Sequence, residues 1–99
     1  MSTNLFIIKI TYTAPIEEID IHLADHRAYL DQCYAHGHYL VSGPQIPRTG
    51  GIIIAQGSSQ SDIDKLMAND PFTIHGLIEY ELTRFEAVKS IDTIKDWLK

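Results

Sequence analysis

Residues 15–34 read PIEEIDIHLADHRAYLDQCY. The apolar side chains Ile16, Ile19, Leu23, Leu30 and Cys33 recur at intervals of three, four, seven and three residues, which is one face of an α-helix. Pro15 suits the first helical position, Glu17 and Glu18 complement the positive end of the helix dipole, and Gly37 supplies a stop. The spacing therefore predicts one helix from about Pro15 to Tyr34. Carrying its rhythm past Leu23 lands on His26, so an imidazole interrupts an apolar stripe, with Asp25 and Arg27 on either side. Histidine is the side chain most easily tuned to exchange protons near neutral pH. A core histidine satisfied by one backbone carbonyl is the competing explanation.

Outward from this helix the chain alternates strand and helix. Leu5–Tyr12 is rich in Ile, Phe and Tyr and reads as a strand. His38–Ser42 is a second strand, ending in the turn-rich segment from Gly43 to Gly51. Ile52–Gln56 is short and almost wholly apolar, which predicts a strand buried on both faces. Ser59 with Asp62, or Ser61 with Asp64, has capping-box spacing before a helix carrying Ile63, Leu66 and Met67. That helix must stop near Asn69–Asp70, ahead of Pro71. In Leu77–Phe85, Ile78, Tyr80 and Leu82 face one way and Glu79, Glu81 and Thr83 the other, as in a strand with one wet face.

The order β-α-β-β-α-β predicts an α+β, ferredoxin-like sandwich: one antiparallel sheet with two helices on one face. Nothing in residues 1–86 remains to cover the other face, so a second subunit is expected there. In Ser90–Lys99, Ile91, Ile94, Trp97 and Leu98 have helical spacing; a helix that short is marginal alone and should dock on its own subunit or on a partner. The expected organisation is a domain over residues 1–88 and a helical extension over 89–99.

Ninety-nine residues suffice for one domain, and an apolar fraction of 44% indicates a packed core. Eight basic against thirteen acidic side chains give a net charge of −5, with no Lys/Arg stripe. Nucleic acid and anionic membranes are therefore not expected as partners, and a small neutral or weakly charged ligand is. The single cysteine, Cys33, cannot close an intramolecular disulfide and suits a reducing compartment. The start MSTNLFIIKI lacks a basic n-region and its apolar run stops at Lys9, so no signal peptide is expected and a cytoplasmic location is.

DHRAYLDQCYAHGHYLVSGPQIPRTGGIIIA (residues 25–55), then ANDPF and GLIEYELTRFE, resembles the YCII-related (YciI-like) family over roughly residues 5–86. The most specific pieces are His26-Arg27 with Leu30, Ser42-Gly43-Pro44, Arg48-Thr49-Gly50-Gly51, and Asp70-Pro71-Phe72. The resemblance implies a homodimeric α+β barrel of ferredoxin-like subunits. It also implies a pocket with a histidine and an aspartate resembling an acid–base pair, at the positions of His26 and Asp70. Some relatives look like small-molecule enzymes, for example eliminating chloride from a ring compound.

A carboxylate accepting from one imidazole nitrogen sets the tautomer and leaves the other as a base, which is the role Asp70 would play for His26. The competing reading of Asp70, as part of Asp-Pro, is a turn residue capping local N–H groups. Ser42, Gly43 and Pro44 would present a hydroxyl and backbone groups to a ligand oxygen; a plain strand exit explains them as well. Arg48 offers a bidentate fork for a carboxylate or polarised carbonyl, against a solvated hairpin arginine. Phe72, with Tyr12, Tyr29 and Tyr34, is a candidate aromatic wall, core packing being the default.

Other clusters are weaker. His22 and His26 have ligand spacing but no third ligand, so no metal is expected. His36 and His38 read as solvent-facing, and His75 as a pocket rim at best. Gly50-Gly51 is no phosphate loop, since no Lys-Ser/Thr follows. Glu79 and Glu81 read as wet-face residues. The favoured function is a cofactor-independent acid–base enzyme acting by proton abstraction with elimination or isomerisation on a small molecule. The alternative is a non-catalytic small-ligand-binding or regulatory dimeric module.

Overall fold

Residues 3–98 are described by a computed structural model. They run β1 (Thr3–Tyr12), α1 (Ile16–Ile21), α2 (Leu23–Ala35), β2 (Tyr39–Pro44), β3 (Gly50–Gln56), α3 (Gln60–Ala68), α4 (Pro71–Ile74), β4 (Ile78–Ala87) and α5 (Asp92–Lys95). The four strands form one sheet in the order β2-β3-β1-β4, antiparallel throughout. Each helical crossover skips one strand, β3 between β1 and β2 and β1 between β3 and β4, which makes the fold ferredoxin-like.

Strand alternation decides which face the helices cover. Phe6, Ile8 and Ile10 of β1 and Ile53 and Ala55 of β3 point inward and pack with Tyr39, Cys33 of α2, and Ile63 and Met67 of α3. Tyr80 and Leu82 of β4 lean on the same cluster while Glu79, Glu81 and Thr83 stay exposed, as the alternation predicts. On the other face of β3, Ile52 and Ile54 remain half-buried and only the Gln56 side chain, at the end of the strand, is buried. The second face of the sheet is closed at the Leu5–Gln56 end, where both side chains are buried and Gln56 reaches the tail, while Ile7, Ile52 and Ile54 are half-buried.

Gly50 shows why the turn into β3 is glycine-rich. A Cβ there would stand 1.7 Å from the Ile10 carbonyl oxygen, so no larger residue fits where β3 meets β1.

The single helix expected from Pro15 to Tyr34 is two. His22 (φ −101°, ψ 5°) breaks it, and the apolar stripe is shared between two clusters. Ile16, Ile19 and Leu23 pack with Phe72 and Leu77, and Leu30 and Cys33 join the main core. Gly37 (φ 75°) does end α2: the His38 N–H reaches the Cys33 carbonyl and the Gly37 N–H that of Tyr34. Of the two possible caps for α3, Ser59 is used, its hydroxyl accepting from the Asp62 N–H at 3.2 Å.

The short helix α4 was not anticipated. Its signals were present in Asp70 as N-cap, Pro71 at the first position and Gly76 (φ 68°) after the end. In the tail, helix forms only over Asp92–Lys95 and buries no side chain; Ile91, Ile94 and Trp97 are exposed. One turn without a packed face lacks the cooperativity that sustains a longer helix. The Gln56 side chain still pins the segment, donating at 2.8 Å to the Trp97 carbonyl. The expected tail helix reached to Lys99, which lies outside the described residues, as do Met1 and Ser2 of the expected domain. No helix of the described residues is long and apolar enough to cross a membrane.

Candidate active site

His26 sits on the inward face of α2 at 9% exposure, and Asp70, fully buried, caps α4. The two meet across 44 residues of sequence: His26 Nδ1 lies 2.9 Å from Asp70 Oδ1 and 3.0 Å from Oδ2. Oδ1 also accepts from the Phe72 N–H at 2.9 Å. One carboxylate therefore both starts α4 and contacts the histidine. An acceptor on Nδ1 places the proton there and leaves Nε2, which hydrogen-bonds to no other described residue, as the exchangeable nitrogen. The Phe72 ring stacks on His26 with centroids 4.0 Å apart and planes 10° apart, and Tyr12 meets Phe72 edge-on at 6.3 Å. The imidazole is thus held by a carboxylate at one edge and an aromatic face against its plane.

His26 lines a cavity of about 480 Å³. Its apolar walls include Ile10, Tyr12, Leu23, Leu30, Ile53 and Phe72. Ser42, Gly43, Pro44 and Arg48 open onto the same space, brought there by the end of β2 and the following turn. His26, Ser42, Gly43, Pro44, Arg48 and Phe72 therefore line one cavity, with Asp70 behind His26, whereas the candidate wall residues Tyr29 and Tyr34 stand outside it. Ser42 Oγ is 2.5 Å from the Tyr34 hydroxyl. Arg48 Nη2 donates at 2.8 Å to Asp20 Oδ1, and its guanidinium lies 5.9 Å from the centre of the Tyr12 ring. The Asp20 carboxylate, with a smaller contribution from Tyr12, pushes the Arg48 pKa up.

In the sequence Asp20 has no role at the site and Arg27 none beyond its place in the His26-Arg27 motif, yet Asp20 holds Arg48 and Arg27 lines the cavity beside His26; Tyr34, a candidate wall, instead holds Ser42. Tyr29 is a core residue whose hydroxyl donates to the Leu66 carbonyl at 2.6 Å. His22 stacks on His75 at 3.9 Å, tying the α1–α2 break to the end of α4. These are pairings between distant segments, and no local spacing announces them. Cys33 is buried, and burial pushes its thiol pKa up, away from nucleophilic character. Among the described residues no group of three His, Cys, Asp or Glu could hold a metal ion.

The sequence profile of the YCII-related domain matches residues 4–86. The chain belongs to the YCII-related family. Its match runs from β1 into β4 and stops short of the tail. No curated protein matches the sequence. Among solved structures, this YCII-related chain is similar to 5-chloro-2-hydroxyhydroquinone dehydrochlorinase from Burkholderia phenoliruptrix AC1100, in complex with 2,5-dihydroxybenzoquinone. The two share 27% identity at a TM-score of 0.70, over 82% of this chain and 92% of that one.

Proposed function

We propose that this YCII-related protein is a cofactor-independent acid–base enzyme acting on a small, oxygen-bearing molecule. The observation that carries this reading is His26 Nδ1 held by the buried Asp70 carboxylate at the wall of the cavity. Nε2 takes a proton from a carbon or hydroxyl of the substrate. The electron pair left behind either expels a leaving group from the neighbouring carbon or shifts within the molecule, giving elimination or isomerisation. Ser42, the Gly43 backbone and Arg48 hold the oxygens on which negative charge develops, and the Pro44 ring packs beside them. Phe72 keeps the imidazole in plane. The likeness to a dehydrochlorinase makes chloride a sensible leaving group to try first.

The proposal extends to assembly. Ile7, Ile52, Ile54 and Val41 share the sheet face away from the helices, where a second copy would bury them in a homodimer or larger homo-oligomer. Residues 1–88 would form the working domain and 89–99 an appended segment, in a cytoplasmic protein.

The test is chloride release from 5-chloro-2-hydroxyhydroquinone by wild type, His26→Gln and Asp70→Asn, with 2,5-dihydroxybenzoquinone binding measured alongside. Turnover should fall by at least about 100-fold in His26→Gln and less in Asp70→Asn, with binding retained. Binding lost in parallel in both variants, with no turnover in wild type, would favour the binding-module reading.

A further inference from the structure

The chain is acidic overall, yet two of its three arginines, Arg27 and Arg48, open onto the cavity that holds His26. Among the described residues Arg27 makes no ion pair. Arg48 has one, with Asp20, and Asp20 reaches it from α1 without lining the cavity. Both partners are wet, with side chains 37% and 52% exposed. Separating them uncovers no buried charge, and a pair of this kind contributes little to stability. The position next to Arg48 is therefore occupied by a carboxylate that can leave at small cost. Asp70 is different, because it is buried and committed to His26 and the Phe72 N–H.

Resting on the small-molecule reading above, we propose that the cavity takes an organic anion for which Arg48 exchanges Asp20, so that Asp20 is the internal competitor setting the site's preference for anions over neutral molecules of the same shape. Arg27, which lines the same cavity from α2, adds a second positive charge for the anion. Asp20 is thus a specificity-determining residue that need not touch the ligand.

The experiment compares two quinones by isothermal titration calorimetry. 2,5-Dihydroxybenzoquinone is a vinylogous acid and an anion at neutral pH; 2,5-dimethoxybenzoquinone has the same ring and no charge. In Asp20→Asn the dihydroxy compound should bind about two- to fivefold tighter, the range an exposed ion pair can supply, with the dimethoxy compound unchanged. Asp20→Ser should behave the same way, which separates charge removal from any contact made by the new amide. Arg48→Gln should weaken the dihydroxy compound alone. An unchanged ratio between the two quinones in both Asp20 variants, or equal tightening of both, overturns the exchange while leaving the pocket in place. Failure of wild type to bind either quinone overturns the small-molecule reading itself.

Discussion

At Asp70 a single side chain serves local and long-range structure together. Its Oδ1 starts α4 through the Phe72 N–H, and both oxygens face the imidazole from α2. A buried carboxylate is tolerated only with such partners, and here those partners include the candidate base. The tyrosines show the same economy. Burial, reinforced by a 2.8 Å hydrogen bond to Asp64, pushes the Tyr80 hydroxyl from its usual 10.0 up to about 12, and burial pushes Tyr29 and Tyr39 up as well. Unfolded tyrosines ionise near 10 while these resist, so the unfolded state releases protons first as pH rises. The stability these groups contribute should be complete below about pH 10 and lost as pH climbs through the folded values. Urea midpoints followed into the alkaline range should fall, and fall less steeply in Tyr80→Phe. A flat profile would contradict the burial of these hydroxyls.

At the scale of elements, breaks and stops carry as much information as the helices themselves. The His22 break divides the first helix between two clusters, and its ring against His75 ties that break to α4, the element presenting Asp70 and Phe72. The Gly50 contact sets how closely β3 lies on β1, and with it the turn that brings Arg48 and Ser42 to one cavity. Gly50→Ala should therefore be more damaging than an ordinary strand substitution. We expect a loss of about 3 kcal/mol or more by chemical denaturation, as for overpacking that the backbone cannot relieve. Gly43→Ala, with open space around its Cβ position, is the control and should stay within about 1 kcal/mol. Equal effects would mean that β1 can move away from Gly50.

For the whole molecule, the helices settle one sheet face and leave the other as a row of half-covered apolar side chains. Ile54 pairs with Ile7 on one side and Val41 on the other, and Val41 is 58% exposed. Partly exposed apolar side chains gathered on one face are what the proposed dimer would bury. Light scattering of wild type should give twice the chain mass, and Ile54→Glu should shift it toward a single chain. A wild type that runs as a single chain at micromolar concentration would refute the dimer.

Much of this was legible in the sequence for a physical reason: side-chain periodicity and chain stops act over a few residues. The strand alternation of Ile78–Thr83, the inward stripe with His26, the glycine stop at Gly37 and the Ser59 cap all follow from neighbours within one or two turns. The order β-α-β-β-α-β then leaves few ways to form a sheet. Recognising Asp70 and Arg48 as candidates took family resemblance, because each alone is ordinary turn chemistry. What only the tertiary structure decided lies between segments far apart in the chain: that Asp70 both caps and grips, that Asp20 occupies Arg48, that Tyr34 holds Ser42 and that His22 finds His75. Local sequence determines which surfaces an element must bury, whereas the meeting of polar side chains across 28 or 44 residues depends on how the buried surfaces pack.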